Sequence, residues 1–100
     1  MTERLTAEDR AEKLPPLVAR GWRLEHDGEA LAKVFEFPNF VAAFGWMTRV
    51  ALWAEKWNHH PSWRNEFGRV EVLLTTHEAE GLTRRDLRLA AMMDHLSESP

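Results

Sequence analysis

The sequence predicts an α+β domain of order α-β-β-α-β-β-α, with a four-stranded antiparallel sheet and helices packed on one of its faces. Three observations lead there. Asp27-Gly28 separates two short apolar runs and marks a hairpin, because glycine accepts the positive φ of a tight turn. Pro38 to Trp57 carries apolar residues at helical spacing. Two further strand-like runs follow, and the later one alternates well. Hairpins joined by a long helix favour a single sheet, with one face covered and the other open to solvent, a ligand or another subunit.

Thr6 caps the first helix, and Glu8 and Asp9 suit its positive start. Pro15 and Pro16 are expected to disturb or end it. Gly21 turns the chain into a strand from Trp22 to His26, and Ala30 to Phe37 is its hairpin partner. Pro38 fits the first turn of the long helix. Phe40, Phe44, Met47, Ala51 and Ala54 define one apolar face of it. His60-Pro61 stops the helix, because a residue before proline avoids helical dihedrals. Trp63 to Phe67 is a short strand and Gly68 a turn. From Arg69 to Thr76, Val70, Val72 and Leu74 point one way, Glu71, Leu73 and Thr75 the other. Thr83 caps the last helix, with Asp86 completing an acid variant of the capping box. Leu89, Met92, Met93 and Leu96 form its apolar stripe.

The length of 100 residues predicts one domain spanning 1–100. A chain of that size buries roughly two-thirds of its unfolded surface, enough for a core without staples. The absence of cysteine excludes disulfides and thiolate metal sites. Met1 to Lys13 is mostly charged and polar, with no apolar stretch of signal-peptide length. The longest apolar run, Val50 to Ala54, is far short of the ~20 residues of a membrane span. These features predict a cytoplasmic protein without membrane attachment. A formal charge of −3 argues against general attraction to nucleic acid or anionic lipid.

Histidines are the residues that point to chemistry. His59 and His60 lie between the long helix and Pro61, and His77 ends the second hairpin. Side chains at element boundaries can converge on a cleft while the scaffold stays rigid. A single histidine is ordinarily a satisfied polar or surface residue, so position alone is modest support. Imidazole also binds zinc. Here the adjacent histidines share no helix face, neither has a partner four residues on, and no acidic ligand follows at metal-site spacing. No metal is therefore expected. Glu55, on the last turn of the long helix, either is solvated or accepts a hydrogen bond from a histidine ring and fixes its tautomer.

Several strings resemble one family. They are Glu55-Lys56-Trp57-Asn58-His59-His60-Pro61-Ser62-Trp63-Arg64-Asn65, then Val70 to His77, then Gly81-Leu82-Thr83 with Asp86. Phe44 to Ala51 and Gly21-Trp22 fit as well. Together these resemble the pterin-4a-carbinolamine dehydratases over roughly residues 5 to 96. Two positions depart from the family: Asn58 stands where aspartate is frequent, and Phe67 where tyrosine is common.

The resemblance implies dehydration of 4a-hydroxytetrahydropterin to the quinonoid dihydropterin, in tetrahydrobiopterin recycling, without metal or redox cofactor. It places His59, His60 and His77 in the pterin site. Histidine can give or take a proton near neutrality, its unperturbed pKa being about 6.5. The reading pairs His60 with His77 as proton carriers and leaves His59 to orient or assist. Pro61, Thr76 and backbone near His77 are expected in the pocket wall, Glu55 beside a histidine, and Trp22 as a candidate stacking surface. The family is oligomeric, so a homodimer or homotetramer is expected. Two alternatives stand beside the enzyme: a non-enzymatic assembly or partner-binding factor that kept the scaffold, and a metal-dependent hydrolase using the same histidines.

Overall fold

The structure, a computed structural model, describes residues 3–98. Positions 1, 2, 99 and 100 of the expected 1–100 domain lie outside the described residues. In chain order come α1 (Ala7–Ala19), β1 (Arg23–Glu25), β2 (Ala30–Glu36), α2 (Phe40–Lys56), β3 (Ser62–Glu66), β4 (Arg69–Leu74) and α3 (Arg84–Ser97). A 3-10 turn, His77–Ala79, sits between β4 and α3. The strands form one antiparallel sheet in the order β1-β2-β4-β3. The predicted α+β order is thus the observed one, with the 3-10 turn added.

Strand register decides which residues meet the helices. Leu31 pairs with Leu74 and Phe35 with Val70. These four side chains and Val72 join Ala43, Trp46, Val50, Leu89 and Met93 in one buried cluster. Each aliphatic side chain of valine size or larger contributes about 1.5–3 kcal/mol by leaving water. The other face stays open. Arg23, Glu25, Ala32, Arg64, Glu71 and Leu73 line a shallow groove of about 550 Å³ there.

Three details differ from the sequence reading. First, α1 runs through Pro15 and Pro16 to Ala19. The carbonyls those prolines leave unpaired belong to Ala11 and Glu12, both exposed residues that water can satisfy, while buried Leu14 and Leu17 hold the helix down. Second, α2 starts after Pro38. Asn39 is its cap, its side-chain oxygen accepting from the Ala42 N–H at 2.8 Å. Third, the buried face of α2 is Ala43, Trp46, Val50 and Ala54. Phe40 and Phe44 are 50% and 55% exposed, and Ala51 is exposed too. Apolar residues surround most of this helix, so more than one stripe satisfies the period. Trp46 selects between them: its ring lies 4.5 Å from Phe35 and its indole N–H donates to the Met93 carbonyl.

The turn between β3 and β4 needs Gly68 for a steric reason. A Cβ there would lie 2.4 Å from the Phe37 carbonyl oxygen, because the two backbones touch; the Phe37 N–H donates to the Gly68 carbonyl at 2.8 Å. Among the described residues, no helix is long and apolar enough to cross a membrane.

Candidate active site

The end of α2 aims the two adjacent histidines. Asn58 adopts a left-handed conformation with φ 52°. Its N–H donates to the Glu55 carbonyl at 3.2 Å, and the His59 N–H reaches back to the Ala54 carbonyl at 2.9 Å. Both bonds satisfy helix-end carbonyls in the Schellman pattern, and asparagine tolerates the left-handed position better than most residues. Directly beyond this turn His59 points inward and His60 outward.

His59 is 8% exposed and its Nε2 lies 2.7 Å from Asp86 Oδ1. Asp86 is fully buried at the start of α3. Its second oxygen, Oδ2, accepts from the Thr83 N–H at 3.0 Å and from the Thr76 hydroxyl at 2.7 Å. Thr76 has spent its one proton, so the Thr83 hydroxyl, 2.7 Å away, donates to Thr76 Oγ1. A carboxylate that receives these donors is an acceptor only. His59 Nε2 therefore carries a proton, and Nδ1 is the ring's free acceptor when the ring is neutral. One carboxylate thus ties together the loop after α2, the residue before His77, and the cap of α3.

His60 is the opposite case. Its side chain is 57% exposed, and its Nε2 meets Glu55 Oε1 at 2.8 Å on the helix surface. This is the tautomer-fixing contact that the sequence allowed for Glu55. His77, also exposed, opens the 3-10 turn. An antiparallel bridge between Thr76 and Gly81 closes the loop that carries it. Pro61 is half-buried beside His60.

Two expected site residues sit elsewhere. Thr76 is fully buried, with its hydroxyl consumed by Asp86 and Thr83, so it braces the site from behind and does not line a wall. Trp22 is 1% exposed, edge-on to Phe35, and donates its indole N–H to Asp94 at 2.9 Å. No ring face is open for stacking. Asp94 also lies eight residues along α3 from Asp86, roughly 12 Å of helical rise. Asp86 itself was legible in sequence only as a capping residue; nothing local shows that its other oxygen holds a histidine 27 positions away. Among the described residues, no group of three or more His, Asp or Glu side chains is arranged to hold a metal ion.

The pterin 4 alpha carbinolamine dehydratase family matches residues 3–96. A protein of Ruegeria pomeroyi, named as a candidate pterin-4-alpha-carbinolamine dehydratase, is 55% identical over 96 residues, which is 96% of this chain and 99% of the relative. A Roseobacter denitrificans protein of the same name is 55% identical over 97 residues, 97% of this chain and 99% of its own. Among solved structures, a Brucella melitensis protein described as a transcriptional coactivator/pterin dehydratase superposes with a TM-score of 0.87 at 40% identity, covering 95% of this chain and 99% of that one. A pterin dehydratase-like protein described as a RuBisCO assembly factor of the alpha-carboxysome shares the fold at a TM-score of 0.69, with 22% identity over 80% of this chain and 93% of that one. The match spans both histidine-bearing loops and the helix whose Asp86 joins them, and the chain belongs to the pterin 4 alpha carbinolamine dehydratase family.

Proposed function

We propose that this chain dehydrates 4a-hydroxytetrahydropterin by histidine acid–base catalysis. The observation that carries the proposal is the Asp86 carboxylate, which bonds His59 and Thr76 and so draws the His59-His60 and Thr76-His77 segments to one place. In the reaction the C4a–OH bond breaks and the N5–H proton leaves, forming the C4a=N5 double bond and one water. Hydroxide leaves poorly near neutrality, so one imidazolium donates a proton to the departing oxygen and a neutral imidazole takes the proton from N5. His60 and His77 suit these exchanges because both are exposed to a ligand. His59, nearly buried and bonded, orients the loop. Positioned acid–base groups of this kind contribute about 10²–10⁴-fold each. The test is dehydration of 4a-hydroxytetrahydropterin by the purified protein, before and after chelation. Activity should persist in EDTA. Loss in EDTA restored by zinc would overturn acid–base catalysis in favour of a metal-dependent reaction, and complete inactivity would favour a partner-binding role.

The same proposal includes self-association. Val41, Phe44 and Leu52 of α2 are exposed at 55% or more, and a Cβ at Gly45 between them would meet nothing within 4 Å. An exposed apolar stripe around a glycine suits close approach of the same helix from a second copy. Light scattering should give a dimer or tetramer, and Leu52→Glu should shift it toward monomer; a monomeric unsubstituted protein would contradict this.

A further inference from the structure

We infer that Glu29 is a positioning residue for His77, acting through the loop 75–82; this rests on the dehydratase reading above. Glu29 is the last residue of the turn between β1 and β2, directly before β2. Four contacts converge on it. Its side-chain Oε1 accepts the Leu82 N–H at 3.0 Å. Its backbone carbonyl accepts the Thr75 hydroxyl at 2.8 Å. Its Oε2 faces Arg10 at 3.6 Å and Arg4 at 3.9 Å. Thr75 and Leu82 flank the Thr76–Gly81 bridge, so Glu29 grips the loop at both ends while His77 rides between them.

The fit is close enough to dictate a neighbour. A Cβ at position 81 would lie 2.2 Å from Glu29 Oε1, so Gly81 is the residue that lets the carboxylate reach the Leu82 N–H. Arg10 braces the other side of the hairpin by donating to the Gly28 carbonyl. The loop is therefore held from two directions: Asp86 fixes Thr76 from within, and Glu29 fixes Thr75 and Leu82 from the hairpin. His77 has neither contact itself. Its imidazole takes its place from the backbone, and a reacting group displaced by about 1 Å loses on the order of 10²-fold in rate.

The test combines a double-mutant cycle with hydrogen exchange. Glu29→Ala should lower kcat about tenfold or more with little change in KM, because it loosens a group needed in the transition state. Added to His77→Ala, the same substitution should lower kcat by less than about twofold, since the residue it acts through is already gone. Glu29→Gln keeps an acceptor for the Leu82 N–H and should restore most of kcat. Hydrogen exchange at the Leu82 amide should quicken in Glu29→Ala while the amides of β4 hold. If Glu29→Ala unfolds the protein, Thr75→Val removes one exposed anchor, and the same non-additivity with His77→Ala, at smaller size, is the expected result. Equal losses in the two backgrounds, or a Leu82 amide that exchanges no faster, would overturn the inference. Failure of the dehydratase reading looks different: the unsubstituted protein would be inactive, and the exchange measurement would still judge the latch.

Discussion

His59 and His60 are neighbours in the chain and opposites in surroundings. His59 faces a fully buried carboxylate whose every contact is matched by a donor; His60 faces Glu55, whose side chain is 82% exposed. Both distances are near 2.7–2.8 Å, yet the two bonds differ in worth. An exposed ion pair contributes about 0–1 kcal/mol. Removing one partner from a buried network strands the others without water, at about 3–5 kcal/mol. Under the proposed mechanism this contrast is a division of labour: the buried histidine secures the scaffold and the exposed one exchanges protons.

Breaking the buried side should have the largest effect. Asp86→Ala removes the acceptor for His59, Thr76 and the Thr83 N–H at once, and should lower unfolding stability by about 3 kcal/mol or more in urea titration. A loss below about 1 kcal/mol would show that the network is dispensable. The turn just before the two histidines comes next. Asn58→Val forces a β-branched residue into φ 52° and should cost about 1–2 kcal/mol, whereas Asn58→Gly should cost nothing. The exposed side is the smaller contrast. Glu55→Ala should change stability by less than about 1 kcal/mol, while any loss of activity reports the freed tautomer of His60.

The smallest effect is a pH dependence at the cap of α1, where Asp9 faces Arg84 at 3.7 Å. The Thr6 backbone N–H, donating to Asp9, holds that carboxyl below the ordinary carboxylate range. A carboxyl lowered by folding stabilises the protein above its unfolded pKa, and that contribution is lost as pH falls through the folded value. Asp9→Asn should therefore reduce stability slightly at neutral pH and flatten the acid limb of its pH dependence. An unchanged acid limb would remove Asp9 from the account.

Local chemistry made much of this legible. The Thr6 and Thr83 caps and the alternation of β4 rest on neighbours in sequence and stand where expected, whereas α2 stops ahead of His60-Pro61, at Lys56, through the left-handed turn at Asn58. The misread features depend on distant residues. Pro15 and Pro16 stay helical because Leu14 and Leu17 are buried against the rest of the fold. The outward turn of Phe40 and Phe44 follows from the lodging of Trp46 against Phe35 and Phe37. Trp22 was ambiguous between stacking and core, and only the Asp94 bond and the Phe35 contact decide for core. The histidines themselves were visible; what joins them, Asp86 and behind it Thr76, is a tertiary arrangement with no local signature.

The proposed division between a structural His59 and proton-exchanging His60 and His77 is tested most directly by steady-state dehydration of 4a-hydroxytetrahydropterin with single alanine variants at His60 and His77. Each should lower kcat by roughly 10²-fold or more with little rise in KM, while the unfolding midpoint stays near that of the unsubstituted protein. Nearly unchanged kcat in both variants would contradict the account and move the proton chemistry to His59.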